Sequence, residues 1–197
     1  MNTFKLNNGY EIPVIGLGTF LAPKEECYNA CLWALKAGYR QIDTAQNYKN
    51  EEAVGKALKA SGVKREDVFI TSKLQISRYG KNNTKKAVLK SINDLGVDYI
   101  DLYLMHWPSQ SYEMNLETYH ALEEMVTEGY IRSIGVSNFQ IHHLEHLLLY
   151  VRIKPVMNQI ELHPGLSQNG VLKYCKDNDI LVTSYGPFMK GEALKMP

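Results

Sequence analysis

The sequence predicts an α/β fold, a (β/α)8 barrel of the TIM type left incomplete, with seven β/α units behind an N-terminal β-hairpin cap. Three observations predict it. Short apolar runs rich in β-branched residues alternate with segments whose apolar residues recur at helical spacing. Those runs are apolar-rich and each is followed by a helix, as in parallel strands covered on the outside. The polar residues able to do chemistry fall at the same ends of successive runs: Asp43, Lys73, His106, Asn138, Gln159 and Tyr185. A barrel brings such ends to one mouth, whereas an open sheet spreads them along an edge.

Each element has its own signal. Thr3 to Leu6 and Tyr10 to Ile15 flank Asn7-Asn8-Gly9, and Asn-Gly supplies the positive φ of a tight hairpin turn. Gly16 to Phe20 is a short strand with a loop at its end. Cys27, Ala30, Cys31, Ala34 and Leu35 repeat at helical spacing, and Gly38 ends that helix. Gln41 to Asp43 is a buried strand ending in a carboxylate. Asn50 is placed to cap the next helix by accepting a backbone N–H, with Glu51 and Glu52 complementing its dipole. Ala53, Val54, Ala57 and Leu58 mark that helix, which stops near Gly62. Strands then follow at Val68–Lys73, Ile100–His106, Ile131–Val136, Pro155–Ile160 and Ile180–Tyr185. Between them, helices carry Val88, Ile92 and Leu95, then Tyr119, Leu122 and Val126, then Ile141, Leu144 and Leu148. A last one, capped by Ser167, carries Val171, Leu172 and Cys175.

The 197 residues are 45% hydrophobic and 22% charged with a formal net charge of +1, enough for one core and read as a single domain over 1–197. No run of five like charges occurs, so nucleic acid and membrane surfaces lack an electrostatic footprint. The N-terminus has no basic and apolar leader pattern, and no apolar run approaches the ~18–20 residues that span a bilayer. Cys27, Cys31 and Cys175 are odd in number and read as small core hydrophobes in a reducing, cytoplasmic setting.

Asp43, Tyr48, Lys73 and His106 form a chemically coherent set. A phenol titrates near ~10, too weak an acid for neutral pH. An ammonium beside it favours the phenolate and lowers that value, and a paired aspartate keeps the ammonium charged and in place. A histidine beside the tyrosine can orient a carbonyl oxygen. Such a set suits proton donation to oxygen as hydride reaches carbon, and the hydride must come from a cofactor.

Blander readings stand beside this one. Asp43 and Lys73 could be only a structural ion pair, and His106 a satisfied buried histidine. His142 and His146 share a helix face, but no third ligand completes a metal site, so these two, His143 and His120 read as a solvated helix surface. Gly16-Leu17-Gly18 opens like a dinucleotide fingerprint, yet Leu21 occupies the third glycine's place. Asn82-Asn83-Thr84 matches a glycosylation acceptor, irrelevant without secretion. His163 falls on a loop near the mouth, its role open.

The chain resembles the aldo-keto reductase family in long, ordered blocks over nearly its whole length: Gly16–Thr19, Ile42–Tyr48, Ile70–Lys73, Asp98–Pro108, Gly129–Phe139, and Val156–Gln159 to His163-Pro164. The resemblance implies NADPH-dependent reduction of a small carbonyl compound, with NADH the alternative. Tyr48 would be the general acid, Lys73 and Asp43 would tune it, and His106 would orient the carbonyl. Ser137, Asn138 and Gln159 would hold the nicotinamide carboxamide, and Tyr185 would stack on its ring. Gly18 and Thr19 would line the cofactor channel, with Asp43 near the ribose and Gly186 near the pyrophosphate in place of a common serine. Phe20 and Trp107 would wall the substrate pocket. Gln75 stands where many relatives have tryptophan, which makes one wall more polar. The family's eighth strand, its basic residues for the 2′-phosphate and its specificity loop have no counterpart here. That gap raises a second reading: a catalytically impaired fragment, one that only binds cofactor or that self-associates through open barrel edges, the gap closed by a second molecule or by the Met189–Pro197 tail.

Overall fold

A computed structural model describes residues 2–195. Strands β1 (Thr3–Lys5) and β2 (Glu11–Pro13) form an antiparallel hairpin with Phe4 opposite Ile12. Seven parallel strands follow in sequential order: β3 (Leu17–Gly18), β4 (Gln41–Asp43), β5 (Phe69–Leu74), β6 (Ile100–Met105), β7 (Ile131–Ser137), β8 (Met157–Glu161) and β9 (Leu181–Tyr185). Helices α1 (Lys24–Lys36), α2 (Glu51–Ser61), α3 (Lys81–Leu95), α4 (Tyr112–Thr127), α5 (Ile141–Leu148) and α6 (Asn169–Asp177) lie between successive strands. The seven-stranded sheet is an incomplete barrel of the predicted class, with β3 and β9 at its two ends.

Two apolar layers hold it. Outside the sheet, Cys27, Cys31 and Leu35 of α1, Val54 and Ala57 of α2, Val88 of α3, Leu122 of α4, Leu144 of α5 and Cys175 of α6 pack with Ile42, Ile70, Ile134 and Ile160 of the strands. The expected core role of the three cysteines is what the structure shows: all are free and buried. On the other side of the strands, Phe69, Leu102, Leu104, Val156 and Met157 cluster with Leu6 and Ile12 of the hairpin. Asn7 Nδ2 donates to Pro155 O at 3.1 Å and to Asp179 O at 2.9 Å, and Asn8 Nδ2 donates to Ser133 Oγ at 2.9 Å. The hairpin therefore plugs the end of the barrel where strands begin, and leaves the opposite end for chemistry. Helices pack closely over the sheet. A Cβ on Gly55 of α2 would lie 2.0 Å from Leu95 O of α3, so only glycine fits there.

Three local expectations change. Asn50 precedes α2, but its side chain accepts no helix N–H; it is buried among loop groups described below. Glu51 is buried too, and Ser72 Oγ donates to its carboxylate at 2.6 Å. Helix α6 begins after Gln168, in a left-handed conformation (φ 46°) with no side-chain cap, so Ser167 does not cap it. Beyond β9, Met189–Lys195 form helical turns broken at Lys190 and Gly191, not a strand. Met196 and Pro197, the end of the tail considered for closing the barrel, lie outside the described residues.

Candidate active site

The mouth is built from residues at the C-terminal ends of the strands. Asp43 ends β4, and Lys73 is next to last in β5. The Lys73 side chain is 1% exposed and its ammonium is paired with Asp43. A lysine taken so far out of water stays charged only with such a partner and further acceptors. Lys73 Nζ also donates to Thr44 O at 3.0 Å, and lies 3.4 Å from the Tyr48 hydroxyl. Tyr48 ends a single helical turn (Gln46–Tyr48), and the left-handed Lys49 after it (φ 58°) turns the chain into α2. The Tyr48 ring lies edge-on to His106, with centroids 5.7 Å apart, and 5.0 Å from Phe20.

Electrostatics in this pocket follow from burial. The Tyr48 phenol sits above its ordinary value of 10: burial pushes it up more than the Lys73 ammonium pulls it down, and Asp43 adds to the rise. The net direction is thus opposite to the lowering expected from the lysine alone. His106 directly follows β6. Burial, helped by Lys73 and opposed by Asp43, lowers its imidazole from 6.5 to about 4. It is neutral at pH 7, so one ring nitrogen carries a hydrogen to donate and the other accepts. Its Nδ1 is buried with no protein partner.

A row of amides runs across from this set. Gln159 Nε2 donates to the second Asp43 oxygen at 2.7 Å, and Ser137 Oγ donates to Gln159 O at 2.9 Å. Asn138 adopts a left-handed backbone (φ 63°) where β7 ends. That turn lets its Nδ2 donate to His106 O and to Ser137 Oγ, both at 3.0 Å, while Tyr185 OH donates to its Oδ1 at 2.8 Å. The six strand-end residues thus form one connected polar rim. Gly18 pairs with Asp43 in register, and a Cβ on Gly18 or Gly186 would meet nothing within 4 Å. Thr19 is 2% exposed, its N–H and hydroxyl both directed at Asp43 O (2.9 and 3.2 Å). It braces the strand end beneath the mouth. Phe20 and Trp107 are exposed, and Tyr79 OH anchors the Trp107 carbonyl.

The model of the Aldo/keto reductase family matches residues 14–195. The chain belongs to that family. It is 47% identical over 194 residues to a glyoxal reductase of Bacillus subtilis (strain 168), the match covering 98% of this chain and 70% of that protein. It is 46% identical over 187 residues to the methylglyoxal reductase DkgA of Escherichia coli (strain K12), covering 95% of this chain and 67% of that one. Among solved structures, an aldo-keto reductase from a Medee basin deep-sea metagenome library superposes with a TM-score of 0.93 at 46% identity, over 97% of this chain and 69% of that chain. A Bombyx mori aldo-keto reductase in complex with NADP gives a TM-score of 0.87 at 37% identity, over 93% of this chain and 66% of that one. Family membership carries oxidoreductase chemistry on carbonyl compounds.

Relative to these residues of the aldo-keto reductase chain, the sequence reading missed the support beneath them. Asn50 and Thr44 are 1% and 0% exposed, and Asn50 ties the loop after β3 to Thr44, the residue that follows Asp43. Nothing local signals this, because the partners lie up to 31 residues away. The histidine reading also changes in part. His142 is exposed, but His120 Nδ1 is 2.8 Å from the buried Glu123, and His143 Nδ1 accepts the Gln140 N–H at 3.1 Å as part of a capping box. Among the described residues, no three His, Cys, Asp or Glu side chains are placed to hold a metal, and no helix is long and apolar enough to cross a membrane.

Proposed function

We propose that this chain is an NADP(H)-dependent oxidoreductase that reduces aldehydes or ketones to alcohols, with Tyr48 as general acid. One observation carries the reading: the Tyr48 hydroxyl lies 3.4 Å from the buried, Asp43-paired ammonium of Lys73, with the neutral His106 ring at its edge. A carbonyl oxygen set between Tyr48 OH and a His106 N–H would receive two hydrogen bonds. As negative charge grows on that oxygen, the phenol passes its proton to it. Lys73 stabilises the phenolate left behind, and Asp43 keeps Lys73 from drifting toward water.

The residues present fit a nicotinamide cofactor. Ser137, Asn138 and Gln159 place amide and hydroxyl groups together, the Tyr185 ring lies alongside through its bond to Asn138, and Gly18 and Gly186 leave open space at the two flanks. These residues would hold the carboxamide and ring, and Asp43 would lie near the ribose. When bound, the reduced nicotinamide supplies the hydride that no side chain can. We assign NADPH over NADH on family resemblance, place the protein in the cytoplasm, and take Phe20 and Trp107 as walls of the substrate pocket.

Loss of NADPH absorbance with a panel of aldehydes, glyoxal and methylglyoxal among them, tests this reading in the chain and in Tyr48→Phe. The reading predicts turnover that the variant loses; equal rates in both would refute the role given to Tyr48. A second reading rests on β9, half-exposed along its whole length with one neighbouring strand among the described residues. Such an edge invites pairing with another chain. Light scattering that shows only monomer, together with full cofactor affinity, would contradict it.

A further inference from the structure

Asn50 holds more of the mouth together than any helix cap would. Its carboxamide has two N–H donors and an acceptor oxygen, and both donors and the oxygen are used inside the protein. Nδ2 donates to Thr19 O at 2.9 Å and to Ala22 O at 3.1 Å. Oδ1 accepts from Thr44 Oγ1 at 2.9 Å; Thr19 Oγ1 lies 3.4 Å away, with its one proton directed at the nearer Asp43 O. The two carbonyls gripped by Nδ2 stand on either side of Phe20-Leu21. Leu21 is left-handed (φ 61°), an uncommon backbone for leucine that needs outside support. The short excursion throws the 62%-exposed Phe20 ring over Tyr48, at 5.0 Å between centroids. An aromatic ring that exposed has little packing of its own to fix it, so its place depends on its backbone, which this grip holds together with the Ala22 N–H bond to Thr19 O at 3.2 Å.

We propose that Asn50 is a positioning residue: by clamping Thr19 and Ala22 it holds the Phe20 wall against Tyr48. The proposal rests on the reductase reading for its consequence, since Phe20 bounds the space where a substrate would meet Tyr48. Its geometric core does not need that reading. Thr44, held by the acceptor side of the same carboxamide, carries the carbonyl that takes a Lys73 hydrogen bond. Asn50 therefore ties the wall and the floor of the mouth to one side chain.

The test is a comparison of the wild-type chain with Asn50→Ala, and with Asn50→Asp, which keeps the side-chain shape and removes both N–H donors. The aspartate variant carries the comparison if the alanine variant does not fold. In protein selectively labelled at Phe and Tyr, with Phe20 assigned through Phe20→Leu, a nuclear Overhauser contact between the Phe20 and Tyr48 rings is expected in wild type and lost in the variants. In aldehyde reduction, the Asn50 variants should raise KM by about tenfold, the size of one well-placed aromatic contact, and take most of their loss there instead of in kcat. In a Phe20→Ala background the same Asn50 change should move KM by less than about twofold, because coupled residues are not additive. A ring contact that persists in a folded Asn50 variant, or an equal KM rise with and without Phe20, would overturn the proposal. If the wild-type chain consumes no NADPH, the reductase reading fails while the ring contact still decides the role of Asn50.

Discussion

Acid should weaken this fold through His106, and the amount can be worked out. The imidazole is lowered from 6.5 to about 4 because burial and the nearby Lys73 ammonium disfavour its charged form. A base whose value falls on folding binds fewer protons in the native state than in the unfolded chain. Stability therefore falls as pH drops through the window between the two values, and is unaffected well above it. Each unit of separation is worth about 1.4 kcal/mol, so taking the chain from pH ~7 to ~4.5 should cost about 2 kcal/mol through this one residue. The perturbation is His106→Gln, which removes the titrating group and keeps a polar side chain. Urea unfolding of both proteins at several pH values in that range gives the assay, because titrating groups that do not interact with His106 cancel in the difference. The wild-type minus variant stability should fall steadily toward acid by that amount. A difference independent of pH would refute the reasoning that His106 is held neutral in a desolvated mouth.

Three further predictions follow from the same geometry. Lys73→Met strands the Asp43 carboxylate beside a buried apolar chain; thermal unfolding should report a loss of about 3 kcal/mol, and aldehyde reduction should fall by at least about 100-fold. Gly55→Ala would press a Cβ to 2.0 Å from Leu95 O, so α2 and α3 must separate; urea unfolding should show about 1–3 kcal/mol lost, with KM for aldehyde little changed. Asn138→Ala removes the partner of Tyr185 OH and the brace on the His106 carbonyl. NADPH titration followed by cofactor fluorescence should then show weaker binding by about tenfold or more.

Much of the fold was legible because its signals are local. Apolar-rich strands such as Ile100–Met105, the helical spacing of Cys27, Cys31 and Leu35, and the Asn-Gly turn each act within a few residues. The convergence of Asp43, Lys73 and His106 was legible as well, since parallel strands in sequential order must bring their ends together. What escaped was set by long-range contacts. Asn50 has the residue type and position of a helix cap, but Thr19, Ala22 and Thr44 outbid the helix N–H groups for its side chain. Glu51 carries a helix-start signature yet turns inward to Ser72. The direction of the Tyr48 shift depended on how far the ring is withdrawn from water, a quantity that no pattern of residue types contains.

The proposed chemistry depends on Lys73 acting on the Tyr48 phenol, and this can be measured without any substrate. With the tyrosine ring carbons labelled and Tyr48 assigned through Tyr48→Phe, carbon NMR follows its titration in the wild-type chain and in Lys73→Met. The midpoint should lie above ~10 in wild type and move higher still when the ammonium is removed. A midpoint that stays put or falls in Lys73→Met would contradict it.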